Sequence, residues 1–171
     1  MTPDLDRDLR ALAQTWQEPS QPQATFLVAG EVLQRHIGFG LYTITHILPG
    51  GLEVERIFST NPTAYAVGGR KPVLPSAFRD QVFGSMQPFL GRRPADFIPY
   101  FPDHAFIVSL GLGAVINVPL IFDGAGLASL NILDREGAYD DHHLAPAMAI
   151  ARMIVPALLK RHFSTHSTPP T

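Results

Sequence analysis

The stretch from Asp103 to Leu144, DHAFIVSLGLGAVINVPLIFDGAGLASLNILDREGAYDDHHL, decides the fold of this chain. It reads in order as a short capped helix, a glycine stop, a two-stranded hairpin, a polar turn and the capped start of a closing helix. The segment Asp123-Gly124-Ala125-Gly126 supplies the turn, and this alignment predicts that Val118 pairs with Asn131. Both faces of the two strands are apolar, so we expect this part of the sheet to be covered on both sides.

Two helices and a strand pair are predicted before that stretch. The first helix, capped by Thr2 and ended by the prolines of residues 18–22, carries one apolar stripe: Leu5, Leu9, Leu12 and Trp16. A second helix should run from about Gln23 to Ile37, with Gly38 at its C-terminal end. Strands then follow at Phe39–Leu48 and Leu52–Thr60, joined by a proline-glycine turn.

A long crossover and a closing helix complete the predicted domain. Residues 61–102 contain seven prolines and one clear helical segment, Ser76 to Gln87, and so long a connection predicts a functional loop or a lid. The last helix should begin at Asp140 or Asp141, both good capping residues. We therefore expect a single domain over residues 1–163, with residues 1–22 as a helix and linker able to serve in dimerisation, and a disordered tail at 164–171.

Composition excludes several function classes. The chain has no cysteine, so disulfides, thiolate nucleophiles, thiolate metal sites and thioether-linked chromophores are all excluded. A formal charge of −2, with scattered basic residues, gives no footprint for nucleic acid and no polybasic membrane anchor. The polar N-terminus lacks an apolar signal core, which favours a cytoplasmic location.

Three motifs carry a resemblance to a known family. They are Asp103-His104 through Ser109-Leu110-Gly111, then Asn117-Val118-Pro119-Leu120, then Gly126-Leu127 through Asn131-Ile132-Leu133. Together with the order of the elements, they make the chain similar to GAF domains, over about Gly30 to Leu159. Arg56 to Pro62, followed by Tyr65 and by Gly68 to Pro72, resembles small stand-alone bacterial GAF proteins in particular.

The resemblance implies an α+β fold. Such a fold has a central antiparallel sheet of five or six strands, terminal helices packed on one face, and a pocket covered by loops and helices on the other. It also implies small-molecule sensing. Members that reduce methionine sulfoxide and members that carry bilins covalently need cysteines, and this chain has none. The Asn-Lys-Phe-Asp motif of cyclic-nucleotide binders is absent as well.

Arg56 is the strongest single candidate for a ligand-binding residue. It is in register with Leu52, Val54 and Phe58 on the apolar face of its strand, where an unpaired charge is costly. Arg56 either clamps a carboxylate or another oxyanion, or it lies near an open sheet edge beside a local carboxylate. The full set of candidate ligand-binding residues is Arg56, Tyr65, Tyr100, His104, Ser109 and Asn117.

Other polar residues have simpler interpretations. Asp103 is expected to cap its helix, with the helix start beside the pocket. Asn117 is expected to face the pocket, whereas Asn131 should face the other way, toward the terminal helices. Asp140 to His143 resembles a metal cluster, but adjacent helical residues point in different directions, so capping carboxylates and solvated histidines are expected instead. No metal site and no cofactor is predicted.

These features predict a cytoplasmic, non-enzymatic sensor. It would bind a small metabolite, with anions favoured by Arg56, and signal through a partner protein or a homodimer formed by the terminal helices. The alternative is a dimerisation scaffold with no physiological ligand, and a less favoured one is a small-molecule enzyme. A sensor predicts a pocket that holds an unpaired polar group, whereas a scaffold predicts a pocket filled by side chains.

Overall fold

Six strands form one antiparallel sheet, and six helices cover its two faces. The computed structural model describes residues 3–165, and the side chains of residues 4–159. The strands are β1 (Leu41–Ile47), β2 (Glu53–Ser59), β3 (Arg70–Pro72), β4 (Phe89–Gly91), β5 (Ala114–Phe122) and β6 (Ala125–Asp134). The helices are α1 (Pro3–Gln14), α2 (Gln23–His36), α3 (Ala77–Arg79), α4 (Pro94–Phe97), α5 (His104–Ser109) and α6 (Leu144–Thr165).

The strands lie in the order β3-β2-β1-β6-β5-β4. The long helices α1, α2 and α6 cover one face and bury the main core against it. The crossover between β2 and β5, which carries α3, β4 and α4, covers the other face together with α5 and buries a second, smaller core. This arrangement confirms the predicted fold class and the predicted covering of both faces.

The apolar stripe of α1 packs inside the monomer. Leu5, Leu9 and Leu12 are buried in the main core. Trp16 follows in a 3₁₀ turn (Thr15–Gln17) and remains 41% exposed, with its indole N–H donating to the carbonyl of Met153 in α6 at 3.0 Å. A dimer through this stripe would therefore have only Trp16 available without unpacking the helix layer. The predicted cap, Thr2, lies outside the described residues.

A buried carboxylate ties α1 to the end of α2. Asp8 is 6% exposed and accepts a hydrogen bond from His36 Nε2 at 2.8 Å, with Arg35 also bound to it. The hydrogen bonds from His36 and then Arg35 lower the pKa of Asp8 from 3.8 to about 2. Gly38, at a φ of 82°, ends the helix and donates its N–H to Leu33, as predicted for a C-terminal glycine.

The side chains of β2 do not alternate regularly between the two faces of the sheet. Ile44 pairs with Phe58 and Thr45 pairs with Arg56, so Ile57 is an extra residue that forms a β-bulge. The bulge turns Phe58 toward the helix layer, where its ring lies 5.5 Å from that of Phe26. The expectation that Arg56 and Phe58 share a face is therefore wrong, because the added residue reverses the alternation between them.

The hairpin of β5 and β6 is in a different register from the predicted one. Phe122 pairs with Ala125, so the turn consists of Asp123 and Gly124 alone, both at positive φ (49° and 72°). Leu127 is then a bulge residue, and Asn117 pairs with Asn131. Residues that pair across adjacent strands share a face, so Asn131 faces the pocket with Asn117 and not the helix layer.

Two other boundaries differ from those predicted. The helical segment that begins at Ser76 is shorter than expected: α3 passes into a single π turn (Asp80–Gly84), and Met86 adopts a φ of 54°. The closing helix begins as predicted, with the Asp140 carboxylate accepting the N–H of His142 ahead of a 3₁₀ turn. It continues to Thr165, so residues 164 and 165 of the expected tail are helical, and 166–171 lie outside the described residues.

One helical stretch, Asp141–Leu159, is long and apolar enough to cross a membrane by length and composition. In this fold about 39% of that stretch is buried, including Ile150, Ile154 and Leu158, which pack in the main core.

Candidate ligand pocket

A pocket of about 150 Å³ lies between the sheet and the crossover. Side chains of β1, β2, β5 and β6 form its floor, and the crossover and the start of α5 form its walls. Four of the predicted ligand-binding residues line it: Arg56, Tyr65, Tyr100 and Asn117. The pocket is therefore on the face opposite to the terminal helices, where the resemblance placed it.

Arg56 reaches the pocket from β2 and is buried there without an acidic partner. The residue is 8% exposed, and no carboxylate among the described residues lies within 4 Å of its guanidinium. Its Nη1 donates to the carbonyl of Ala66 at 3.1 Å, while its Nε has no hydrogen-bond partner. Burial lowers the pKa of Arg56, and the nearby Tyr65 and Asp103 act in the opposite direction. The pocket thus holds a desolvated cation with an unused donor.

Gly69 allows the guanidinium to lie against the backbone. The N–H of Arg56 donates to the Gly69 carbonyl at 2.8 Å, and the N–H of Gly68 donates to the Arg56 carbonyl at 2.8 Å. A Cβ on Gly69 would stand 2.9 Å from Arg56 Nη1, closer than a side chain allows. Gly68 and Gly69 therefore form the wall against which Arg56 rests.

Tyr65, Lys71 and Asp103 form a second polar group beside Arg56. The Arg56 guanidinium lies 4.7 Å from the centre of the Tyr65 ring, and the Tyr65 hydroxyl donates to Asp103 at 3.4 Å. Lys71 of β3 forms an ion pair with the same carboxylate. Burial, followed by the charge of Asp103, raises the pKa of Tyr65, so its hydroxyl stays protonated as a donor.

Asp103 does not have the role predicted for it. It occupies the N-cap position of α5, but its side chain makes no capping hydrogen bond. The carboxylate instead binds Lys71 and Tyr65, joining the edge strand β3 to the start of α5 across the pocket wall. An acidic residue before a helix caps it only when no stronger partner is near. Here Lys71 is such a partner.

Hydrogen-bonded side chains form the floor of the pocket. The Thr45 and Ser129 hydroxyls are 2.7 Å apart, and Ser129 also donates to Asn131 Oδ1 at 2.9 Å. Asn117 Nδ2 donates to the same oxygen at 2.6 Å. Asn131 Nδ2 donates in turn to Thr43 and Thr45, at 3.3 and 3.4 Å. These buried polar groups satisfy one another, as groups in a low-dielectric site must.

One atom at the end of this network has no partner. Asn117 is 6% exposed, and its Oδ1 accepts no hydrogen bond. Within the pocket lining, Arg56 Nε and Asn117 Oδ1 are the two buried side-chain atoms without partners, one a donor and the other an acceptor. Unpaired buried polar atoms are destabilising, so each calls for an explanation.

Two of the predicted site residues do not reach the pocket. His104 Nδ1 is 2.8 Å from the carbonyl of Phe101, and Ser109 is exposed, with its hydroxyl donating to the carbonyl of Phe106 at 2.7 Å. Both serve the ends of the short helix α5, and neither lines the pocket. The contacts of Ser109 are those of a helix-end hydroxyl.

Asp140, His142 and His143 come closer together than a regular helix would allow. One ligand atom from each lies within 4.8 Å of the others, because the segment is a 3₁₀ turn. These atoms already have capping roles, however: His143 Nδ1 accepts the Asp140 N–H at 3.1 Å, and the Asp140 carboxylate accepts the His142 N–H at 3.1 Å. The group is a helix-start cap, as the sequence suggested, but only His142 is solvated as expected, since the His143 side chain is 15% exposed.

Sequence reasoning missed the polar floor and the ion pair. Thr43, Thr45, Ser129 and Asn131 recur at a spacing of two in otherwise apolar strands, which is the signal of a polar row on one face. Lys71 gave no such signal, because its partner Asp103 is 32 residues away.

Comparison with solved structures identifies the fold. The GAF domain of an Acinetobacter phosphoenolpyruvate-protein phosphotransferase matches with a TM-score of 0.74 and 9% identity, over 95% of this chain and 97% of the other. The GAF domain of the corresponding protein from Coxiella burnetii gives 0.73 and 14%, over 95% and 96%. The chain has the GAF fold.

This fold is also similar to part of a larger structure. The chromophore-binding domain of a bacteriophytochrome from R. palustris matches with a TM-score of 0.69 and 10% identity, over 95% of this chain. This chain spans only 62% of that structure. No family model and no curated protein matches the sequence.

Proposed function

We propose that this chain is a sensor of GAF fold that binds a small anionic metabolite without transforming it. A partner protein or a second copy of the chain would recognise the ligand-bound form. A cytoplasmic location is part of the proposal, in keeping with an acidic, cysteine-free chain. A GAF fold hosts unrelated functions, so the proposal rests on the pocket itself.

The observation that carries it is the state of Arg56. A cation that is 8% exposed, with a free donor and no acidic partner among the described residues, is unfavourable unless something else supplies the negative charge. A carboxylate or another oxyanion in the pocket would do so, because the guanidinium fork matches the geometry of such groups. Lys71 also lines the pocket, but its charge is paired with that of Asp103, so Arg56 remains the unpaired cation.

Binding without catalysis is supported by the chemistry of the lining. No histidine is present among the described residues that line the pocket, and the chain has no cysteine. The hydroxyl of Ser129 is held by Thr45 and Asn131, so no general base is beside it. Acyl transfer to the Ser129 hydroxyl would need such a base.

The scaffold alternative is less well supported. It predicts a pocket filled by side chains, whereas this one is open and contains two unpaired polar atoms. It also relies on the α1 stripe, whose three leucines are buried within the monomer. Dimerisation remains compatible with the sensor proposal, as its route of output.

Native mass spectrometry of the freshly purified chain, followed by a thermal-shift screen of small carboxylates, phosphate and sulfate, tests the proposal. We expect bound mass or a melting shift that saturates with anion concentration. The Arg56→Met variant should lose the shift, whereas Gly84→Ala should keep it, since a Cβ on Gly84 meets nothing within 4 Å. No bound mass and no saturable shift with any anion would contradict the proposal.

A further inference from the structure

The charged side chains of the pocket lining are paired, with one exception. In the described part of the chain they are Arg56, Lys71, Arg79 and Asp103. Lys71 forms an ion pair with Asp103. Arg79 lies 3.6 Å from a carboxylate oxygen of Asp80, its neighbour in the chain. Arg56 has no described carboxylate within 4 Å, so the lining carries one positive charge that no protein carboxylate offsets.

One guanidinium nitrogen of Arg56 is accessible to a ligand. Nη1 donates to the carbonyl of Ala66 at 3.1 Å, and Nε is sealed from solvent. Nη2 donates to no described residue and, unlike Nε, is not sealed. Its N–H groups can hold an oxyanion by charge-assisted hydrogen bonds. The ligand contact expected at Arg56 is therefore a single negative group that meets Nη2.

The Tyr65 ring connects Arg56 to the carboxylate of Asp103. The guanidinium lies 4.7 Å from the centre of the ring, and the hydroxyl of the same ring donates to Asp103 at 3.4 Å. Burial lowers the pKa of Arg56, and Tyr65 and Asp103 oppose that shift, so the charge of Asp103 acts on the guanidinium. An anion held at Arg56 therefore lies within range of a fixed negative charge.

We infer that the pocket selects anions with a single negative charge, and that Asp103 is the residue that rejects a second charge. This inference rests on the proposed function and specifies its ligand class. A monoanion neutralises Arg56 and leaves the ion pair of Lys71 and Asp103 intact. A dianion must either bring its second charge, stripped of water, near Asp103 or displace that carboxylate from Lys71. Both are unfavourable, so Asp103 is a repulsive element that discriminates between ligands.

Two matched pairs of probes, each differing by one charge and little in shape, test the inference. They are methanesulfonate with sulfate, and monomethyl succinate with succinate. Titration calorimetry of the full chain is done at neutral pH, where all four carry their full charges, and at constant low ionic strength. We expect each monoanion to bind at least about tenfold more tightly than its dianion. Equal affinities, or a preference for the dianion, would overturn the inference.

Variants of the ion pair assign the selectivity to Asp103. Asp103→Asn keeps the shape and frees Lys71, so affinity for each dianion should rise at least about tenfold more than affinity for its monoanion. Lys71→Met leaves Asp103 unpaired and should weaken monoanion binding by about tenfold, and adding Asp103→Asn should restore it. Asp4→Asn removes the same charge from an exposed side chain of α1, on the other face of the sheet, and should change neither affinity.

The outcomes separate this inference from the proposed function. If a dianion binds as tightly as its monoanion, charge selection is wrong and anion sensing stands. If none of the four probes binds, the anion found by the screen decides: a monoanion supports the inference, and a dianion contradicts it. If no anion of any kind binds, both fail. A preference for monoanions that persists unchanged in Asp103→Asn, or a double variant that does not recover monoanion binding, would contradict the role of Asp103.

Discussion

The guanidinium of Arg56 rests on the ring of Tyr65, 4.7 Å from its centre, and not on a carboxylate. Burial lowers the pKa of Arg56, and Asp103 is close enough to oppose that shift, but the ion pair of Asp103 is with Lys71. The aromatic face stabilises the cation while leaving its hydrogen-bonding edge unused. This arrangement keeps a charge available inside the protein, at a cost in stability that denaturation experiments can measure.

Replacing Arg56 by methionine should stabilise the unliganded protein. Methionine fills a similar volume and removes a buried charge that has no ion-pair partner, so we expect the free energy of unfolding to rise by about 1 kcal/mol. Urea denaturation of both proteins without added anion measures this. A loss of stability would show that Arg56 is mainly a structural residue, and the ligand role given to it would be wrong.

Tyr65 should be coupled energetically to Arg56. Tyr65→Leu removes the ring beneath the guanidinium and should lower the free energy of unfolding by about 1–2 kcal/mol beyond the loss of packing. In an Arg56→Met background the same change should have a smaller effect. A double-mutant cycle by urea denaturation measures the difference, and additive effects would show that the contact contributes nothing. Tyr65→Phe is the matched control, because it keeps the ring.

Stability should fall at acidic pH through Asp8. Its pKa is about 2 in the folded chain and 3.8 ordinarily, so the unfolded state binds the proton more readily. The stabilisation is fully present above pH 4, and it is lost as the pH falls through about 2. Urea midpoints between pH 2 and 5 should decline less steeply for Asp8→Asn. Asp4→Asn, at an exposed carboxylate of the same helix, should leave the decline unchanged.

Gly69→Ala should impair anion binding through Arg56. The added Cβ would stand 2.9 Å from the guanidinium, so the arginine must move from its place. We expect affinity for the best-binding small carboxylate to drop by about tenfold, which corresponds to about one hydrogen bond to a charged group. Calorimetry measures it, with Gly84→Ala as the control. Equal affinities for the two variants would place the anion elsewhere.

The fold was predictable because its signals are local. Glycines at 38, 50, 51 and 124 end elements at positive φ, and proline-rich segments separate the others. Periodicity alone could not place the two bulges, at Ile57 and Leu127, because each adds a single residue whose effect appears only when the partner strand is known. A one-residue shift reverses every later side chain, so Phe58 and Asn131 were each assigned to the wrong face.

The pocket was predictable only in part, for a related reason. Arg56 and Asn117 stand out as polar residues inside apolar strands, and both line the pocket. His104 was inferred from a helix start that does lie beside the pocket, and Ser109 from its place before the glycine stop, but their side chains bind the backbone of the loop before α5 and of α5 itself. Partners that are distant in sequence, such as Lys71 and Asp103, cannot be paired without the fold.

Trp16, the single tryptophan of the chain, lies on the helix layer, and its indole is hydrogen-bonded to the carbonyl of Met153 in α6. The pocket is on the other face of the sheet, where Tyr65 and Tyr100 lie. Fluorescence from Trp16 therefore reports on the helices alone. A change in Trp16 emission when ligand is added would show that ligand binding alters the helix layer on the far face of the sheet. If ligand binding is demonstrated and the emission does not change, the structural response to the ligand would be assigned to the crossover.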